Sequence, residues 1–197
     1  DKIAEQNFKR YAEMDLEHCL TPAIISYEGI QYQYMSPMVL SKDGLDYVQK
    51  HLRILSGFYG ILKPFDGVTP YRLEMQAKAS VSDFKDLYEY WGDSLYQELT
   101  MDGDHVILNL ASKEYSKCIE KYIEEDDLFV TCVFGEIVDG KVVQKGTLAK
   151  MARGEMVRFL AETQVNTLEG VKVFRGLGYE FSEELSSEKE YIFIKKI

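Results

Sequence analysis

The chain has 197 residues, 46% of them hydrophobic, with 14 Tyr and 10 Phe. That is enough to bury a sizeable core, and it excludes a disordered chain. The formal net charge of −10 excludes a protein that coats nucleic acid through bulk charge. No apolar run reaches membrane-spanning length and no secretory signal opens the sequence, so no membrane partner is expected. Cys19, Cys118 and Cys132 are odd in number and widely spaced, which favours reduced core cysteines in cytoplasm over a disulfide framework or zinc site. The chain starts at Asp1 without an initiator Met, already in a helical pattern, so further residues are expected before it.

Apolar residues at helical intervals (Ile3, Phe8, Tyr11, Met14) predict a first helix over 2–18. Residues 22–35 are apolar and read equally as strand or buried helix. Ser41-Lys42-Asp43-Gly44 can cap a helix over about 45–55. A glycine–proline region follows, LRILSGFYGILKPFDGVTPYRLEM, residues 52–75. Residues 82–99 predict an amphipathic helix, and 105–111 (HVILNLA) a buried strand. Ser112 is placed as the N-cap of a helix through 123. LFVTCVFGEIVDGKVV reads as a hairpin turning at Asp139-Gly140. A helix is expected over 150–163, and a strand pair from VKVF (171–174) and YIFIKKI (191–197). No linker or repeat is visible. Mixed helices and strands without a strict βαβ repeat predict an α/β (α+β-like) single domain over 1–197, with a mixed β-sheet flanked by helices.

The cations are uneven. Residues 47–73 carry Lys50, Arg53, Lys63 and Arg72 against Asp66, a net of +3. Residues 143–158 carry Lys145, Lys150, Arg153 and Arg158 against Glu155, again +3. If the two segments meet, they make one basic patch on an acidic body, able to steer an anion. The turn Gly57-Phe58-Tyr59-Gly60 has two readings. Its backbone N–H groups could grip a phosphate, as in a helix-hairpin-helix element near residues 45–66, or it is a tight turn in the core. In LAKMARGEMVRF, about 100° per residue clusters Ala152, Met156, Phe159 and Leu160 on one side. Lys150, Arg153 and Arg158 spread over the other, with Gly154 allowing close approach of a phosphate backbone. The alternative is an ordinary solvated face.

The DNA- or anion-binding set expected from the residues and the resemblance below is Gly57, Gly60, Lys63, Arg72, Lys150, Arg153 and Arg158. Should the chain be an enzyme on a phosphate-bearing small molecule, Asn109 and Ser112 would hold the ligand, and Glu74 or Asp93 would serve as acid or base. There is no P-loop, GxSxG, HExxH or GxGxxG motif. His18, His51 and His105 show no ligand spacing, so neither a metal nor a cofactor is expected.

The blocks HLRILSGFYGILKPFDGVTPYRLEM, DLYEYWGD, VILNLASKEY and KMARGEMVRFL, in that order, resemble the signature blocks of the YaaA family of bacterial peroxide-stress resistance proteins. Order and spacing agree from about Lys2 to Lys195. The resemblance implies a cytoplasmic protein that limits hydrogen peroxide damage and helps keep free intracellular iron low. It also implies a helix-hairpin-helix element over Ser56–Gly60 and a basic cleft for double-stranded DNA. The family opens with an apolar strand and an Ile-Ser-Pro-Ala-Lys motif that this chain lacks, so a strand and a lysine are expected before Asp1.

Overall fold

Residues 2–78, 80–103 and 105–196 are described by a computed structural model. In chain order the elements are α1 (Lys2–Ala12), β1 (Thr21–Pro22), α2 (Ala23–Ser26), α3 (Ile30–Met35), a 3-10 turn (Pro37–Val39), α4 (Lys42–His51), β2 (Ile54–Ser56), β3 (Gly60–Leu62) and β4 (Gly67–Val68). They continue with α5 (Leu87–Trp91), α6 (Ser94–Thr100), β5 (Val106–Asn109), α7 (Lys113–Glu120), β6 (Leu128–Val138) and β7 (Lys141–Val143). The chain ends with α8 (Gly146–Thr163), α9 (Leu168–Val171), a 3-10 turn (Gly176–Gly178), β8 (Tyr179–Phe181) and β9 (Glu190–Lys195). The class is α/β with a mixed sheet, as expected.

The chain divides into two compact units, neither of them a continuous stretch. The first comprises Asp1–Tyr27, Leu52–Asp104 and Ala111–Glu124, and the second Glu28–His51, His105–Leu110 and Glu125–Ile197. No Pro/Gly-rich linker marks a boundary because the chain passes repeatedly from one unit to the other.

In the first unit, β2 and β3 pair antiparallel as a hairpin, Ile54 opposite Leu62 and Ser56 opposite Gly60. The second helix expected within residues 45–66 is therefore absent: α4 ends at His51, and both segments around Gly57 are strands. The helix-hairpin-helix expectation is corrected accordingly. The alternating burial of Ile54-Leu55-Ser56 and Gly60-Ile61-Leu62 is the two-residue period of a sheet. The helix expected over 82–99 is split at Gly92, whose φ of 52° and ψ of −132° no helix accommodates. Asp86 caps the first piece by accepting from the Glu89 N–H at 2.9 Å.

In the second unit the sheet runs β5-β6-β9-β8, with β5, β6 and β9 parallel, β8 antiparallel to β9, and β7 antiparallel to the end of β6. The β6–β7 turn falls at Asp139-Gly140, as expected. The partner of β9 is β8 rather than VKVF. Residues 171–174 leave the end of α9 so that Val171 and Phe174 turn inward while Val173 is exposed, a helical spacing instead of strand alternation. On one sheet face, Val130, Cys132 and Phe134 of β6 with Tyr191 and Phe193 of β9 meet Ala152, Met156 and Leu160 of α8. Phe134 stacks on Phe193 with ring centroids 5.2 Å apart and takes Phe174 edge-on at 6.0 Å. Each such buried ring stabilises the fold by roughly 1.5–3 kcal/mol.

The other side of α8 packs against α3. Gly154 makes this possible: a Cβ there would lie 2.0 Å from the Gln31 carbonyl oxygen and 2.9 Å from the Met35 nitrogen. The glycine expected to admit a phosphate backbone admits the backbone of α3 instead. Both obstructing atoms are main chain and cannot swing aside. Gly154→Ala should therefore destabilise the protein by about 3 kcal/mol, the upper range for overpacking. Urea denaturation checks this, since a lower midpoint at unchanged slope is the expected result.

Candidate anion-binding site

The predicted residues fall in both units: Gly57, Gly60, Lys63 and Arg72 in the first, and Lys150, Arg153 and Arg158 in the second.

The glycine turn does not present donors to a ligand. The N–H groups of Phe58 and Tyr59 donate to the Ser56 hydroxyl oxygen at 3.1 and 2.9 Å. Ser56 Oγ also pairs with the Tyr71 hydroxyl, which meets the Tyr27 hydroxyl at 2.6 Å. Burial pushes the Tyr71 phenol far above its ordinary range, so this network stays protonated. Phe58 packs on Tyr71 at 5.1 Å and stacks with Tyr11 at 5.6 Å. Gly57 accepts a hydrogen bond from Trp91 Nε1 at 3.1 Å, and a Cβ on it would lie 2.7 Å from the Leu73 carbonyl oxygen. Gly60, at φ 80°, has Trp91 against it, where a Cβ would come to 2.8 Å. Both glycines serve core packing, and the turn is an aromatic cluster tied together by one serine.

The remaining residues of that unit are largely engaged. Arg72 Nη2 pairs with Glu74 Oε1 at 3.3 Å across exposed surface, and the Arg72 N–H donates to Asn7 Oδ1 at 3.1 Å. Asp93 Oδ2 accepts from Gln97 Nε2 at 2.7 Å. Lys63 is exposed, and its backbone N–H donates to Asp66 at 2.7 Å. Ser112 begins α7 as expected, although its side chain makes no capping bond. Asn109, in the second unit, is buried at the end of β5 and donates to Thr131 Oγ1 at 3.1 Å.

The cations of α8 differ from one another. Arg158 pairs with Glu162 through Nε at 2.8 Å. Lys150 is exposed and makes no ion pair with a described residue. Arg153 does not lie on a solvated face. Its neighbours one turn away, Ala149 and Val157, are both buried, as is Gly154 beside it. Its guanidinium acts on the Cys132 thiol of the core, and burial pulls its own affinity for the proton below the ordinary arginine value. Its Nε is buried without a hydrogen-bond partner among the described residues. A buried donor of this kind costs roughly 1–3 kcal/mol, and more on a charged group. Arg153 and Lys150, three residues apart on one helix, thus form an underpaired cationic pair in a strongly acidic chain.

Three lysines outside the predicted set, Lys85, Lys117 and Lys121, line a groove in the first unit. The i, i+4 spacing of Lys117 and Lys121 was legible, but the approach of Lys85 depends on the fold. Among the described residues no three His, Cys, Asp or Glu side chains gather as a metal site, and no helix is long and apolar enough to cross a membrane.

Fold and site define an α/β protein whose mixed sheet is covered by a helix carrying the cations Lys150 and Arg153. The chain belongs to the family described as "Peroxide stress protein YaaA", whose profile matches residues 1–185. It is 62% identical over 195 residues to a UPF0246 protein of Lachnoclostridium phytofermentans, spanning 99% of this chain and 76% of that protein. A UPF0246 protein of Agathobacter rectalis is 58% identical over 197 residues, covering 100% of this chain and 79% of its own length. One from Desulfitobacterium hafniense is 56% identical over 195 residues, covering 99% and 77% respectively.

Thiol chemistry in such a protein follows burial. Desolvation pushes the Cys132 thiol up to about 12, against the pull of Arg153, and the Cys118 thiol up to about 11, with Glu114 adding to it. Only a thiolate reacts readily, so Cys19, which is exposed, should be the one thiol a disulfide reagent titrates in the native protein at pH 8. Above the ordinary thiol value of 9.0 the unfolded chain releases protons that the native state keeps. The native state then binds more protons, and stability falls as pH rises from about 9 toward 12. Urea midpoints at pH 8 and 10 check the sign, with the lower midpoint expected at pH 10.

Proposed function

We propose that this member of the peroxide-stress family acts in the cytoplasm by binding phosphate groups, those of double-stranded DNA, through Lys150 and Arg153 of α8. The observation that carries the reading is the buried Arg153 Nε without a partner among the described residues. Charged groups inside a protein are ordinarily paired, and an arginine fork suits phosphate oxygens. Lys150 adds a second positive charge one turn away. Recruitment rests on local charge, since the body of the chain is acidic. The lowering of free iron implied for the family is carried here as an indirect consequence of this binding.

A second reading is favoured by the burial of Arg153 Nε: a compact phosphate on a small molecule reaches a half-buried guanidinium more readily than a duplex backbone does. The enzyme roles for Asn109, Glu74 and Asp93 gain no support, as Thr131, Arg72 and Gln97 already occupy them.

Arg153→Met roughly keeps the volume and removes the half-buried cation. If Arg153 serves a ligand, this variant should be as stable as the parent or more so, because a buried Nε–H without a partner among the described residues is a stability cost. Together with Lys150→Glu it should lower affinity for a duplex oligonucleotide at least tenfold. Parent binding should weaken steeply with salt as counterions are released. Fluorescence anisotropy at several salt concentrations, beside thermal melts, checks both. Unchanged duplex affinity in the variants excludes the reading, and loss of stability in Arg153→Met makes Arg153 structural.

A further inference from the structure

The first unit contains a groove between the start of α5 and the outer face of α7 that the α8 cations do not share. Lys85 reaches it from just before α5, Lys117 from the last turn of α7 and Lys121 from that helix's C-cap position. Tyr88 and Tyr122 provide its aromatic lining. A neighbouring hollow shares Lys85, Asp86 and Tyr88 and brings in Lys78.

Three features distinguish this groove from a solvated surface. First, none of Lys85, Lys117 and Lys121 makes an ion pair with a described residue, in a chain that carries 33 carboxylates against 23 Lys and Arg. Second, the two carboxylates that line the groove are turned to the backbone. Asp86 Oδ1 accepts from the Glu89 N–H at 2.9 Å, and Glu89 Oε2 accepts from the Lys85 N–H at 2.8 Å. They close the first turn of α5 as a capping pair, leaving the lysine ammonium groups unneutralised by direct contact. Third, the tyrosines are held in place. The Tyr88 hydroxyl donates to the Glu114 carbonyl oxygen at 2.9 Å, and Tyr122 receives Lys121 Nζ both 5.1 Å from its ring centre and 3.5 Å from its hydroxyl, a long contact that leaves the ammonium charge in place. Lys117 and Lys121 complement the carboxyl end of α7, which accounts for those two on that helix but not for Lys85 facing them.

We propose that this groove binds a diphosphate group, with the ammonium groups of Lys85, Lys117 and Lys121 around its oxygens. Lysine serves phosphate as a mobile point charge, and three on two elements can surround a group that carries several negative oxygens. The diphosphate comes either as inorganic pyrophosphate or as part of a nucleoside diphosphate, whose base would lie on the ring of Tyr88 or Tyr122.

The test is titration of the full chain with inorganic pyrophosphate and, separately, with ADP, followed by calorimetry and by the ring signals of Tyr88 and Tyr122. The expected result is saturable binding that weakens with salt, with movement of those ring signals. Lys117→Ala with Lys121→Ala should weaken it at least tenfold. Lys113→Ala, on the same helix but outside the lining, should leave it unchanged. Tighter binding of ADP than pyrophosphate by tenfold or more identifies a nucleotide site, and equal binding identifies the inorganic ion; either supports the proposal. No saturable binding of either probe at 10 mM, taken as roughly the weakest useful affinity, overturns it. So does a double variant that binds like the parent, or one that loses duplex DNA binding while keeping pyrophosphate. Arg153→Met should leave pyrophosphate binding intact, so failure here and failure of the α8 reading are separate results.

Discussion

The second unit depends on one close approach, that of the α3 backbone to Gly154 on α8. With no side chain at 154, the Gln31 carbonyl and the Met35 N–H come against the helix. On the opposite side of α8, Ala152, Met156 and Leu160 cover the aromatic face of β6 and β9. A helix gripped on two sides leaves little of its circumference to water. Arg153 falls between the two gripped arcs, and this is why a residue that the charge pattern assigns to solvent ends with a buried Nε that no described residue partners. The glycine and the arginine beside it are two sides of one constraint: the first closes the packing, and the second has its Nε caught at the edge of it.

The glycine-rich segment, residues 52–75, illustrates how far residue type alone can carry an argument about ligands. Three glycines beside cations are compatible with a phosphate grip. Whether the turn's donors are free is decided by a residue that the pattern passes over, Ser56, whose hydroxyl takes up both N–H groups. The aromatic residues around it, Phe58, Tyr59, Tyr71 and Trp91, turn the segment into a small core of its own. Anion binding in this chain therefore has to be sought where cations lack partners rather than where glycines cluster.

Elements with a strong local signal were legible. Asp139-Gly140 turns the β6–β7 hairpin, Ser112 starts α7, and the apolar stripe of α8 meets the sheet as its period requires. What could not be read depended on tertiary contacts. Gly92 breaks a stretch whose apolar spacing fits one continuous helix. VKVF has strand-forming residues, yet it leaves a helix so that Val171 and Phe174 can enter the core. The two units have no linker signature, since each is assembled from three separate stretches of the chain. Of the expected binding residues, Lys63, Lys150 and Arg153 make no ion pair with a described residue and retain a claim on a ligand. Gly57 and Gly60 do not, and Arg72 and Arg158 are held by Glu74 and Glu162.

The central claim is that the Arg153 guanidinium is kept for an anion. It is tested most directly by the Nε–H signal of Arg153 in nitrogen-correlated NMR spectra during titration with a short DNA duplex. The account predicts that this signal moves downfield and saturates with the stoichiometry of binding, as a charge-assisted hydrogen bond to phosphate forms. A signal that stays fixed while the duplex binds would contradict it.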